Sequence, residues 1–349
     1  MFWKYSIKRV LNGIIIFIIL IFIYSILFNA QLEQTIYSQI DEQVNGELHQ
    51  LNTSKMTPAA IENWILQRKE TLYKSYNLDK TSFERIIMRA YDTITFNFGK
   101  STIIKSNSGK RDVRSIVFEA IPRTLLLFVT AMFIDVFLGI ILGIKKAQKP
   151  GSAFDKATSI GTMIVYGMPS WWLGMLMIMM FVYAFGLFPS GGLHSTPAPV
   201  GDFAKFVDLL WHLTLPVLTL VVLGFWGRAF LTRNIVLGTL QEDYIMAARA
   251  RGIKERRVLY SHGLRSAAPP LVTMSLLALL ASVGGNIIFE GIFSWPGMGN
   301  LYWVAVQQND IPVLMGNLAV TTGLYQAGLV LLDLIYGFLD PRIKVGGKA

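Results

Sequence analysis

QEDYIMAARARGIKERRVLYSHGLRS, residues 241–266, holds six Lys/Arg and three Asp/Glu, although the whole chain is only 15% charged. Apolar runs flank it on both sides, roughly 209–237 and 269–289, each long enough to cross a bilayer as helix. A charged loop held between two such runs makes this a chain that passes the membrane more than once. Composition agrees: 53% of the 349 residues are hydrophobic and 12% aromatic, with a mean hydropathy of +0.47. The formal charge of +10 does not argue for a nucleic-acid partner, because half of the basic residues sit beside apolar spans. There is no cysteine, which excludes disulfides and thiolate metal sites.

Working outward from the loop, six segments qualify as spans: roughly 10–28, 117–144, 158–187, 209–237, 269–289 and 314–338. The first, VLNGIIIFIILIFIYSILF, follows Lys4, Lys8 and Arg9 as a signal peptide would. Its length, and bulky Phe28 just before Ala30, mark it instead as a retained helix. Most Lys/Arg near spans lie in the N-terminus, the 145–157 loop, the 238–268 loop and the C-terminal tail. The loops 188–208 and 290–313 carry Lys205 alone and none. Both termini and the charged loop are therefore expected in the cytosol.

The expected fold is all-α integral membrane, six transmembrane helices with a helical extracytoplasmic insertion between helices 1 and 2. In chain order this gives a cytosolic tail and first helix (1–30), the insertion (31–115), a core with helices 2–6 (116–340), and a cytosolic tail (341–349). The insertion has 12 basic and 10 acidic residues and offers no strong electrostatic lure. Thr57-Pro58 reads as an N-cap with Pro at the first helical position, and Thr81 with Glu84 fits a capping box. Two or three short amphipathic helices are expected there, serving as a structural cap or as a docking face.

Within the charged loop, Gln241–Arg251 reads as a short helix and Gly252 as its stop. Leu240, Tyr244, Ala247 and Ala248 recur three to four apart, giving one face with small residues at its centre. Arg249, Arg251, Lys254, Arg256 and Arg257 ring that patch with cations. Anchoring on anionic lipid is one reading. Close approach of another protein is the other, since a loop that only joined two spans could be far shorter.

The run DYIMAARARG, followed nine residues later by His262-Gly263-Leu264-Arg265, resembles the cytosolic loop of ABC importer permeases of the oligopeptide/dipeptide/nickel type. GRAFLTRN (227–234), FEGIFSWPGMGNL (289–301), IPRTLLL (121–127), GMPSWWLG (167–174) and LDPRIK (339–344) follow that branch in order and spacing, so the resemblance covers roughly 117–344. The Glu of the general loop motif falls on Met246, as is common in peptide-type permeases. The resemblance implies a type I ABC importer permease fold and a coupling helix pressed into a groove on an ATPase subunit. Tyr244, Ala247, Ala248, Arg249 and Gly252 are then the contact candidates. It further implies a second homologous permease (homo- or heterodimer), two ATPase subunits and an extracytoplasmic solute-binding protein as partners beside the bilayer.

No energy source is legible in the chain. Phe98-Gly99-Lys100-Ser101 is the nearest approach to a phosphate-binding loop, but Ile94 stands where its first glycine is required. ATP and Mg are thus expected on the partner ATPases, with no cofactor, catalytic residue or metal here. The four histidines are scattered, and His212 beside Trp211 reads as an interfacial anchor. Asn52-Thr53-Ser54 fits a glycosylation acceptor, on a pattern too short to carry weight.

Asp135, Arg228 and Asp333 are ionisable residues at membrane depth in spans two, four and six. Each lies a similar distance from its cytosolic end, so Arg228 is expected to pair with Asp333 or Asp135, or else to reach the headgroups. Gly284-Gly285-Asn286 places two glycines and an amide inside span five, either for close helix packing or to line a substrate path. Gly139 and Gly143 in span two read as packing. Ser294-Trp295-Pro296-Gly297 reads as a turn outside span five, followed by a short interfacial helix over Asn300–Gln308 with Tyr302 and Trp303. By the resemblance, Trp295, Pro296 and Gly297 belong to an outer loop that helps close the cavity and meet the binding protein.

The leading reading is the translocation subunit of an ATP-driven importer carrying peptides, with nickel complexes and oligosaccharides as the cargoes of close relatives. An ion-coupled carrier using Asp135 and Asp333 is the rival. A membrane enzyme is disfavoured because no span holds a nucleophile–base pair.

Overall fold

The protein is described from a computed structural model over residues 2–51, 56–282 and 284–339. The Asn52-Thr53-Ser54 pattern, most of LDPRIK and the 341–349 tail lie outside the described residues. The regular elements among the described residues are all helices. In order the helices are α1 (Phe2–Leu27), α2 (Asn29–Gln50), α3 (Pro58–Ser75), α4 (Ser82–Ile94), α5 (Val113–Gln148), α6 (Ala153–Tyr166) and α7 (Ser170–Ile178). They continue as α8 (Asp202–Leu240), α9 (Asp243–Ala250), α10 (Glu255–Arg257), α11 (Leu264–Ser282), α12 (Ile287–Ile292), α13 (Met298–Gln307) and α14 (Ile311–Leu339). Wider π-helical turns extend α7 over Met179–Ala184 and join α10 to α11 over Val258–Gly263. Among the described residues the only extended pairing is a single bridge, Lys100 to Asp112.

Five of these helical stretches are long and apolar enough to cross a membrane, and six if one bent pair counts as a span. That bent pair corrects the expectation of a single span over 158–187, because α6 and α7 meet at 97°. The cause is local. Pro169 disfavours helix at the residue before it and sits in extended backbone (ψ 137°) as the N-cap of α7. The fifth span is also corrected: α11 stops at Ser282, and Gly284-Gly285-Asn286 form a break rather than the middle of a helix.

The chain divides into two compact units. The first comprises Met1–Glu119 with Val304–Ala349. There α1 packs along α14 and α4, burying Ile21, Ala90 and Ala319 with Phe17 and Phe22 against them. Gly13 allows the close approach, since a Cβ there would lie 2.7 Å from Val330 Cγ2. Between the first two spans lie three helices, α2, α3 and α4, of which α2 and α3, at 22 and 18 residues, are longer than the short helices expected. Their caps are those read from sequence: Thr57 accepts from the Ala60 N–H, and Thr81 with Glu84 forms a complete capping box. Ile40, Val44, Leu72 and Leu78 form their small core. Arg68–Glu47 and Lys69–Asp41 ion pairs (both 2.6 Å) lie at its surface, where such pairs contribute little.

A buried acid that sequence reading missed anchors the same unit. Asp310 is fully buried. Its Oδ2 accepts from the Ser101 hydroxyl at 2.5 Å and from the N–H groups of Ile103 and Ile104 at 3.1 and 3.3 Å. Its Oδ1 accepts from the Val313 N–H in the first turn of α14. Asp310→Ala would leave these donors buried without an acceptor, at a cost of about 2 kcal/mol. The expected outcome is a lower unfolding temperature and new protease cleavage within 100–112, both measurable on the detergent-solubilised chain.

The second unit is Ala120–Trp303. Its core joins Leu127 of α5, Leu213, Leu215 and Val217 of α8, Phe289 of α12, and Phe293 and Trp295 of the turn that follows. Gly139 and Gly143 do serve close packing. A Cβ at Gly139 would lie 2.8 Å from Arg228 Cβ, and one at Gly143 2.5 Å from Thr232 Cβ, so α5 and α8 pack backbone to side-chain root.

Candidate coupling loop, charge pair and outer turn

The loop after α8 is rigid for a reason that residue spacing half reveals. Helix α9 is only eight residues long, too short to hold itself together in water. It is held by Ile245, fully buried, which enters a cluster with Ile144, Val236, Leu240, Val258 and Leu259, while Ala248 is 7% exposed. Arg249 adds a fork: its Nε and Nη2 donate to Glu255 at 3.1 and 2.7 Å, tying α9 to α10. Gly252 (φ +74°) turns the chain in the left-handed region, where a side chain is strained, and so ends the helix as expected.

The candidate contact residues therefore separate. Tyr244 (47% exposed), Ala247, Arg251 and Gly252 face outward together with Met246 (60% exposed). Ala248 differs from these in being buried within this chain. Arg249 is exposed, but its guanidinium is already engaged by Glu255. What remains outward is a low patch of small residues with one aromatic and one thioether.

Inside the unit, Arg228 resolves its two possible partners. It donates Nε and Nη2 to Asp135 Oδ2 at 2.8 and 2.7 Å, bridging α8 and α5. Gly224 makes room, since a Cβ there would lie 2.9 Å from the Asp135 carboxyl carbon. Asp333 is not its partner. That carboxylate accepts from Arg9 of α1, within the other unit. Nearer the end of α5 is a second charge cluster that sequence reading did not single out. Asp155, which also accepts from the Gly151 N–H, takes a two-pronged contact from Arg233 at 2.6 and 2.7 Å. Lys146 is fully buried, its Nζ 5.9 Å from the centre of the Phe230 ring.

The outer turn is built around a residue not foreseen, Glu290. Its side chain is fully buried in α12. Oε1 accepts from the Thr124 hydroxyl at 3.0 Å and Oε2 from the Asn300 N–H at 3.0 Å. Thr124 Oγ1 in turn accepts from the Met298 N–H at 2.7 Å. The carboxyl thus sits at the N-terminus of α13, where unpaired N–H groups favour an acceptor. Burial pushes it up to about 7, against the hydrogen bonds from Asn300, Thr124 and Gly299.

Glycines form the walls of this cage. A Cβ at Gly285 (φ +72°) would lie 2.4 Å from Glu290 Oε1, and one at Gly297 2.3 Å from Thr124 Oγ1. This explains Gly285 better than either reading made of it as a helix interior. Asn286 caps α12 through its side chain, which accepts from the Phe289 N–H at 2.9 Å. Trp295 is fully buried and donates Nε1–H to the Arg123 carbonyl at 2.9 Å. The structure thus draws Gly285, Asn286, Trp295, Pro296 and Gly297 into one knot on α5, with Gly284 beside it.

His212 also differs from expectation. It is buried rather than interfacial, with Nδ1 near the Gly191 and Gly192 carbonyls (3.1 and 3.2 Å) and Nε2 near Ser195 Oγ at 3.2 Å. Trp211 alone stays half exposed.

With this geometry in hand, comparison with known proteins is informative. Residues 135–345 match the family described as binding-protein-dependent transport system inner membrane component. An oligopeptide transport system permease protein of Bacillus subtilis, AppB, is 31% identical over 79% of this chain and 85% of its own length. A peptidoglycan transport system permease protein of Agrobacterium fabrum, YejB, is 33% identical over 78% of this chain and 74% of its own. The dipeptide transport system permease protein DppB of Escherichia coli K12 is 35% identical over 65% of this chain and 73% of its own. The matched stretch contains the Asp135–Arg228 pair, the α9 loop and Glu290 itself, so this chain belongs to the family of inner-membrane permease subunits of binding-protein-dependent ABC transport systems, a multi-pass translocation component and not itself an enzyme.

Proposed function

We propose that this permease imports peptides handed over by an extracytoplasmic binding protein, as one of a pair of permeases driven by two ATPase subunits. In this reading the chain has a type I ABC importer permease fold, with both termini and the α9 loop in the cytosol and the segment between the first two spans outside. The ATPases bind the ATP and Mg, and this chain transmits their closure.

The observation that carries the proposal is the α9 loop. Its inner face is fixed by Ile245, and its outer face of Tyr244, Met246, Ala247 and Gly252 is exposed. A lever must be stiff toward its own span and open toward its driver, and this loop has both properties. The knot around Glu290 is assigned to the outer side, where it holds the SWPG turn on α5. The relatives compared above are permeases of oligopeptide, dipeptide and peptidoglycan transport systems, which supports peptide cargo over nickel complexes or oligosaccharides.

The ion-coupled carrier reading loses its basis, because Asp135 is engaged by Arg228 and Asp333 by Arg9. The test is reconstitution with the partner subunits. Binding protein loaded with peptide should stimulate ATP hydrolysis and uptake, and Ala247→Trp should cut that stimulation by about tenfold or more. Transport by this chain alone, without ATP, would overturn the reading.

A further inference from the structure

Between the ends of α5 and α8 and the start of the α10 segment lies a hollow of about 790 Å³. Lys145, Lys149, Arg249 and Arg256 line it with a single carboxylate, Glu255. That carboxylate is already held by Arg249. The other three cations are exposed, and none has an ion-pair partner among the described residues. The floor is of another kind: Leu237, Leu240 and Leu259 lie beneath the cations at the ends of membrane-crossing helices.

We propose that this hollow seats the phosphodiester headgroup of an anionic membrane phospholipid. Its occupant must be anionic, since three cations face an otherwise uncompensated space, and a phosphate oxygen can take Lys149 and Arg256 together. It must also carry an apolar part, since a leucine floor gains nothing from a hydrated free phosphate. A lipid at the membrane surface satisfies both conditions. The site sits beside the α9 lever and shares Arg249 with it. The lipid therefore braces the fork that holds the loop, and coupling becomes sensitive to bilayer charge. The cytosolic placement of the hollow rests on the orientation proposed above.

The complete transporter in nanodiscs tests this, because a disc exposes both membrane faces and the lipid readout does not depend on orientation. In discs containing phosphatidylglycerol, Lys145 and Lys149 should be acetylated about tenfold more slowly than in phosphatidylcholine discs, with Lys205 unchanged. Millimolar inorganic phosphate in phosphatidylcholine discs should not reproduce the protection. The double variant K149Q/R256Q should retain about a tenth of the wild-type phosphatidylglycerol by native mass spectrometry. Equal labelling in the two discs would overturn the proposal. So would protection by inorganic phosphate alone, or protection that follows the ATPase subunits whatever the lipid. The orientation is checked separately, by impermeant labelling of Lys149 in intact cells and in inverted vesicles.

Discussion

Replacing Asp135 by alanine is expected to abolish transport and to destabilise the chain by about 3–5 kcal/mol. The substitution leaves the Arg228 guanidinium at membrane depth without its counter-ion, and removing one partner of a buried pair costs far more than the pair contributes. The hydrophobic alternative makes the argument sharper. Asp135→Leu with Arg228→Leu removes both charges and should recover most of the unfolding temperature. It should recover transport only if the pair is a static clamp between α5 and α8. A swap, Asp135→Arg with Arg228→Asp, keeps the attraction but moves the longer side chain to α5, where Gly224 no longer faces a carboxylate. Partial recovery of folding is the expected result, read as thermal unfolding in detergent beside peptide uptake in vesicles. Wild-type stability in Asp135→Ala would mean that Arg228 reaches water or headgroups.

The second large effect concerns Glu290. Glu290→Ala removes the acceptor shared by Thr124 and the first turn of α13, and opens a cavity where Gly285 and Gly297 have no side chains to fill it. Each stranded donor costs about 1–3 kcal/mol, so the outer turn should detach from α5. The pH dependence has a definite sign. The carboxyl is raised to about 7 in the fold from 4.5 outside it. The native state therefore holds a proton that the unfolded chain releases between those values. That contribution to stability is complete below about 4.5 and is lost as pH rises through about 7. The stability difference between wild type and Glu290→Ala should be larger at pH 5.5 than at pH 8, measured as paired unfolding temperatures. A difference that does not change over that range would mean that the carboxyl is ionised throughout.

These two sites show where sequence reading reaches and where it stops. The spans were legible because about 20 apolar residues have few other uses, and the caps at Thr57 and Thr81 because their chemistry is local. The α9 helix and its stop at Gly252 were legible for the same reason. Facing was not. An eight-residue helix shows its period, but not which side its own protein covers, so spacing groups Ala248 with Tyr244 and Ala247 although it is buried and they are exposed. The 97° bend between α6 and α7 was hidden because hydropathy averaged over a window passes smoothly across Met168-Pro169.

Depth was easier to read than neighbours. Asp135, Arg228 and Asp333 were placed at one depth by counting residues from the ends of their spans, but which helices are adjacent is a tertiary fact, and only Asp135 meets Arg228. Glu290 left one signal. It is one of only two acids in 290–313, a stretch without a single Lys or Arg, and Asp310, the other, proved equally buried. An isolated acid among apolar and glycine residues has no solvent partner to satisfy it, so a built cage is the natural place for it.

The account as a whole depends on the outer face of α9 being gripped by a separate ATPase. Because the chain contains no cysteine, Ala247→Cys gives a single thiol on that face, with buried Ile245→Cys as its control. In membranes containing the assembled transporter, a short bifunctional thiol crosslinker should join Ala247→Cys to an ATPase subunit. The yield should change with bound nucleotide, and Ile245→Cys should give no product. Crosslinks from Ala247→Cys to lipid or to nothing, with the ATPase present and active, would contradict it.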